Sequence, residues 1–403
     1  MAGPGPSFDD YRAVAPRGTV DFLLRIGERL RGRRFVHVTG SRYGGPGIEV
    51  LNRMVPLLLE LGIDAGWEIL VGDAEFDTAA RAVGVALGGT EQVVTETMLA
   101  HLQATCAENG ARLPLDGDLV LAHDAPPLLL VDGRPDGGRW VWIAHGDLSA
   151  PQPQVWGFVR RFITRYDAAV FSLPRFGAPL PIPRFMIYPS IDPLSPRNRE
   201  MPRAELAERL ARLGVPRDKP FLLQVGPWSR AHDPLGVINA YRLVKKHYDV
   251  RLVLAAIPGP VAAGASIVDE VREAASRDPD ILPIAMPPSP EADLNALERG
   301  ANIVIQKPLT TDFGLEAATA MWKGKPVIAS YAGGLPHQIV FNVTGYTVDT
   351  VEGAAFRIRH LLANPELIGR MGAAGREHVR RHFLMTRHLG DYLALLTHLT
   401  KQG

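Results

Sequence analysis

One cysteine, Cys106, stands in the whole chain, which excludes an intramolecular disulfide and any metal site built from several thiolates. An excess of charge is also missing: 44 lysines and arginines face 43 aspartates and glutamates, a net charge of +1. That balance gives no ground for expecting nucleic acid or an acidic membrane surface as a partner. No stretch reaches the roughly 18 uninterrupted apolar residues a membrane helix needs, and Met1 to Asp10 lack the charged-then-apolar order of a secretory signal. With a single cysteine, this makes the cytoplasm the expected compartment. No repeat of fixed period runs through the sequence, and the histidines and acids show no metal-ligand spacing.

What is present suits two α/β domains. The 403 residues exceed one ordinary domain and fit two of about 150–200 residues, and a hydrophobic content of 46% is ample for two cores. Short apolar runs at Phe35–Thr39, Trp67–Val71, Leu119–Ala122, Trp140–Ala144 and Ala168–Phe171 read as buried strands. Between them lie helical patterns, among them Ile48–Leu61, whose apolar residues recur at helical spacing. "MIYPSIDPLSPRN", Met186 to Asn198, reads as an extended connector. A second alternation follows, with strands at Phe221–Val225, Arg251–Ala256, Ile281–Ala285, Asn302–Gln306 and Pro326–Ala329, and a helix opening near Phe313. Such alternation predicts parallel sheets with helices on both faces, and ligands beyond the carboxyl ends of the strands.

Several segments carry a family resemblance: "EVLNRMVPLLLELGIDAGWEIL", "LAHDAPP", "WVWIAHGDLSAP", "YPSIDPLSPRN", "DPLGVINAYRLVK" and "AMWKGKPVIA". From about Arg34 to Leu396 the chain resembles the retaining glycosyltransferases of family 4, and within them the trehalose synthases, which join a nucleotide-activated glucose to free glucose. The resemblance implies a GT-B architecture of two Rossmann-like parallel-sheet domains facing a cleft, with a final helix crossing back to the first domain. The boundaries it suggests are an extension at 1–33, an acceptor-side domain at 34–198, a nucleotide-sugar-side domain at 199–378 and a crossing helix at 379–403. It implies a nucleotide sugar, UDP-glucose or ADP-glucose, as donor substrate, a sugar as acceptor and no separate cofactor; a homodimer stays open.

By the same resemblance, Gly44, Gly45, Arg230, His232, Lys307, Phe313, Gly314 and Leu315 are the candidate donor-side residues. His123, Asp124, His145, Asp147, Gly333 and Gly334 are the candidates for sugar contact. Departures from the family fall on polar cleft positions in both domains, among them Ile143 in place of an arginine on the acceptor side. An arginine and a lysine that touch the donor diphosphate in the family correspond to Pro227 and His232, and two family glutamates correspond to Thr311 and Thr319. Asp312 stands where the family has glycine, just before the expected helix at Phe313, and there it reads as a cap that repels phosphate.

Transfer from a nucleotide sugar needs the charge of the leaving diphosphate stabilised and the acceptor hydroxyl held in place. One positioned donor supplies on the order of 3–4 kcal/mol, so losing two lowers the rate by roughly five powers of ten. Three functions are therefore compatible with the sequence. The chain is a trehalose synthase-like hexosyltransferase, a degenerate relative acting as a sugar-binding, regulatory or partner subunit, or a transferase with an altered donor.

Overall fold

Runs such as Leu119–Ala122 and Leu252–Ala255 have no polar side chain to spare for solvent, and the strands they form are covered on both faces. The computed structural model describes residues 5–41, 46–257 and 265–400. One sheet contains β1 (Arg34–Thr39), β2 (Asp64–Ile69), β3 (Leu119–His123), β4 (Arg139–Ala144), β5 (Ala168–Phe171) and β6 (Arg184–Met186), in the spatial order β2-β1-β3-β4-β5-β6. The other contains β7 (Phe221–Gly226), β8 (Arg251–Ala256), β9 (Ile281–Ala285), β10 (Ile303–Gln306), β11 (Val327–Ala329) and β12 (Gly345–Thr347), in the order β12-β11-β10-β7-β8-β9. All of these pairings are parallel. The winding reverses at β1/β3 in the first sheet and at β7/β10 in the second, and such reversals leave a crevice at the strands' carboxyl ends. Among the described residues no helix is long and apolar enough to cross a membrane.

Contacts divide the chain into two units, Met1–Ser190 with Met385–Gly403, and Ile191–Leu384. This corrects three expected boundaries. The N-terminal segment is no separate extension, because helix Thr19–Gly27 buries Val20 and Leu23 and packs on the C-terminal helix Met385–Thr400. The second unit begins at Ile191 rather than at 199, because the Ile191 N–H donates to the Phe383 carbonyl at 2.8 Å and ties the connector down. The return to the first unit begins at Met385 rather than at 379. Two short strands, β6 and β12, were not anticipated.

The connector is anchored by a buried charge cluster. Glu298, fully enclosed on helix Glu291–Gly300, accepts from Arg197 Nη2 at 2.6 Å and Thr319 Oγ1 at 3.1 Å, and lies 2.6 Å from Lys323 Nζ. The Asn198 carbonyl accepts from Trp322 Nε1 at 3.0 Å. Burial alone would raise the pKa of Glu298, but Arg197 and Lys323 outweigh it and hold the carboxyl below its ordinary range. Removing the carboxylate takes the anion from buried Lys323 and from the partly buried Arg197. Glu298→Ala is expected to lose about 3–5 kcal/mol in denaturant unfolding at pH 7. Because the folded-state pKa is depressed, this contribution is complete above about pH 4.3 and is lost as the pH falls through the folded-state value beneath it. A variant as stable as the parent at pH 7 would contradict the assignment.

Candidate functional site

In the first unit the site grows from the reversal point. β1 ends at Thr39 and β3 at His123, side by side, and β4 delivers His145 just beyond its end. Together with Asp77 and Arg81, from successive turns of helix Ala74–Leu87, these residues line a cavity of about 530 Å³. That volume lies within the range of small-molecule sites. Gly47, in the first turn of helix Pro46–Glu60, admits the His145 ring, since a Cβ there would lie 2.5 Å from Nε2. His37, inside β1, is fully buried behind the cavity. His37 Nδ1 and His123 Nε2 are 3.1 Å apart, and His123 Nδ1 and His145 Nε2 are 3.0 Å apart. Burial drives the pKa of His37 down to about 3. Burial first, then repulsion from the neighbouring imidazoles, pushes His123 well below its usual value. Both are neutral near pH 7.

Of the residues the sequence singles out for sugar contact, the fold brings His123, Asp124 and His145 together on this wall. Asp147 is turned elsewhere, its carboxylate accepting from the Ser149 N–H at 2.8 Å. Gly333 and Gly334 belong to the second unit and serve backbone packing. Gly333 has φ +49°, a Cβ on it would lie 1.8 Å from the Asp312 carbonyl oxygen, and the Gly334 N–H donates to that carbonyl. Gly44 and Gly45 lie outside the described residues.

In the second unit the loops after β7 and β10 meet at the corresponding reversal point. Lys307, just past β10 and only 6% exposed, sits 2.6 Å from the Asp233 carboxylate. Asp233 adopts φ +50°, and its other oxygen accepts from the Gly236 N–H, capping helix Pro234–Lys245. The neighbouring His232 places Nδ1 2.9 Å from Ser229 Oγ, and burial lowers its pKa, with Glu316 pulling weakly the other way. Arg230 is 74% exposed and reaches Glu270 at 3.3 Å.

The expected helix at Phe313 begins instead at Glu316, with Leu315 at the N-cap position. Asp312 lies three residues before that position, and Leu315 makes no side-chain cap bond. Buried Gln338 takes that part, its Oε1 accepting from the Ala318 N–H and its Nε2 donating to the carbonyls of Phe313 and Gly314. Phe313 is buried against Phe383, and Gly314 takes φ +73°. Phe313, Gly314 and Leu315 thus form a packed turn. Sequence spacing held no signal for Gln338, which acts from outside the helix it caps.

Asp124 carries a strained backbone, φ +59° and ψ −158°, a region nearly reserved for glycine. Three bonds hold it: Asp124 Oδ1 accepts from the His145 N–H at 2.9 Å, its carbonyl accepts from Trp142 Nε1 at 3.1 Å, and its own N–H donates to the Ile143 carbonyl at 2.9 Å. Asp124→Ala keeps the strain and loses the side-chain bond, whereas Asp124→Gly loses both. The glycine variant is expected to be more stable than the alanine variant by about 1–3 kcal/mol, measured by thermal or denaturant unfolding; equal stabilities would show that no strain is stored there.

Comparison with known proteins covers nearly the whole chain. Residues 37–178 match the family "Trehalose synthase, N-terminal domain", and residues 207–378 match "Glycosyl transferases group 1". The trehalose synthase of Pyrococcus horikoshii is 34% identical over 97% of this chain and 96% of its own length. That of Rubrobacter xylanophilus is 35% identical, with the same coverage of both chains. Among solved structures, the fold is similar to an α,α-trehalose-phosphate synthase from Burkholderia xenovorans in complex with glucose-6-phosphate. Its TM-score is 0.72 at 13% identity, covering 90% of this chain and 100% of that one. An α,α-trehalose 6-phosphate synthase from Burkholderia multivorans gives 0.69 at 15% identity, covering 92% and 99%. Two parallel six-stranded sheets of this winding are the GT-B arrangement, and with the end-to-end sequence match they place the chain in the family of trehalose synthase-like glycosyltransferases.

Proposed function

We propose that this chain transfers a hexosyl group from a nucleotide sugar to a sugar acceptor, with a weakened grip on the leaving diphosphate. The observation that carries the reading is the cavity of the first unit, where His123, Asp124 and His145 converge at a strand-order reversal in a chain similar along its length to trehalose synthases. Imidazoles and carboxylates suit sugar hydroxyls, which both donate and accept. UDP-glucose and ADP-glucose are the donors to test first, with glucose as acceptor.

The weak grip follows from how the cations of the second unit are used. Proline at 227 offers neither charge nor N–H, and His232 is half-buried, with burial favouring its neutral form. Lys307 is held by Asp233, and turning it to a phosphate would strand a carboxylate. Arg230 is different: an exposed pair such as Arg230–Glu270 is worth at most about 1 kcal/mol, so this side chain is free to be redirected towards phosphate.

The same commitments favour a second reading, a sugar-binding partner subunit without turnover. Two measurements separate the readings. Restoring charge with Pro227→Arg and His232→Lys together is expected to raise kcat/KM at least a hundredfold, as one positioned donor is worth about 10²–10³ in rate. Glucose at about 100 times its Kd should add about 2.7 kcal/mol of stability. Glucose stabilisation with no transfer product from either protein would establish the second reading. No stabilisation by glucose or by either nucleotide sugar would contradict both.

A further inference from the structure

Three histidines climb the first sheet as a staircase. His37 on β1 faces Leu121 on β3, and His123 stands two positions further along, on the same side. His123 faces Ile143 on β4, and His145 again stands two positions further along. Each step moves one strand over and one pleat repeat forward, so all three rings fall on one face and meet nitrogen to nitrogen. The His123 and His145 rings lie within 8° of parallel.

Counting protons gives this chain a direction. Each neutral imidazole has one N–H and one bare nitrogen, and each of the two contacts needs one proton. His123 must therefore donate through one nitrogen and accept through the other, and both bonds run the same way. In the inward arrangement the last proton sits on His37 Nε2, which is buried and has no hydrogen-bond partner among the described residues. In the outward arrangement that nitrogen is bare. An enclosed N–H without an acceptor is the rarer and costlier defect. Other ionisable groups nearby do not change the count. His388 is itself buried, its Nδ1 2.9 Å from Ser190 Oγ, and Asp124 meets His145 through the backbone N–H, leaving the ring alone.

We infer that His37 and His123 are positioning residues that fix the tautomer of His145: its Nε2 accepts from His123, and its proton is placed on Nδ1 for donation to a sugar hydroxyl oxygen. The inference rests on the proposed sugar-binding role for its purpose, though not for its detection. The dipole of the buried pair is set by the unpartnered nitrogen of His37, deep in β1, and is read out at the cavity wall.

The test is a two-bond proton–nitrogen correlation spectrum of the full chain, labelled with ¹⁵N-histidine, near neutral pH and without ligand. Signals are assigned by their loss in His145→Gln, His123→Asn and His37→Phe. The expected result is the Nδ1–H pattern at all three rings. An Nε2–H pattern at His145 in the parent protein overturns the inference, whether or not any variant folds. In folded His37→Phe, His123 is released and His145 is expected to lose its single pattern for a mixture of both tautomers; an unchanged His145 also overturns it. Since no ligand is present, a chain that fails to bind sugar still reports on the relay.

Discussion

A lysine enclosed by protein must find an anion, and in the second unit Lys307 finds Asp233. The pair fixes more than a charge. Asp233 sits in a left-handed conformation at the start of helix Pro234–Lys245, caps that helix with one oxygen and holds the lysine with the other. The loop after β7 and the loop after β10 are thereby joined, and a backbone bond from the Leu309 N–H to the Ala231 carbonyl closes the junction. This is the reversal point of the sheet, where an α/β fold presents its ligand groups. Here the cation at that point is spent on holding the loops together.

The first unit solves the same positional problem with a row of imidazoles. His37 and His123 are too deeply buried to take up a second, charging proton near neutrality, so their value lies in orientation. A neutral imidazole that is told which nitrogen holds its proton recognises a hydroxyl, whereas a diphosphate calls for cations. The two units thus differ in what they suit: the first in hydrogen-bond geometry, the second in a frame whose cations are largely committed. A strained Asp124 beside His145 fits this view, as strain persists only where surrounding bonds over-determine it.

Much of the architecture was legible in the sequence because parallel strands covered on both faces leave continuous apolar runs. Ala168–Phe171 and Arg251–Ala256 are read with their observed ends. The strands that escaped, Arg184–Met186 and Gly345–Thr347, are three-residue edges whose apolar content is too small to stand out. His123 and His145 were visible as residues following strands. His37 was not, because a histidine in mid-strand reads as packing until the register shows which rings share a face. Asp312 misled for a related reason. Its local pattern is that of a cap, but the cap is Gln338, and the turn Phe313–Leu315 keeps the helix from starting where the spacing suggested.

The claim that Lys307 is withheld from the ligand by Asp233 is tested most directly by titrating uridine diphosphate into the parent protein and Asp233→Asn under identical conditions. Asparagine retains the cap and tolerates the left-handed backbone, so the substitution removes little besides the anion. The account predicts that the freed lysine tightens diphosphate binding about tenfold, a gain of about 1.4 kcal/mol. An affinity that is unchanged or weaker in a folded Asp233→Asn protein would contradict it.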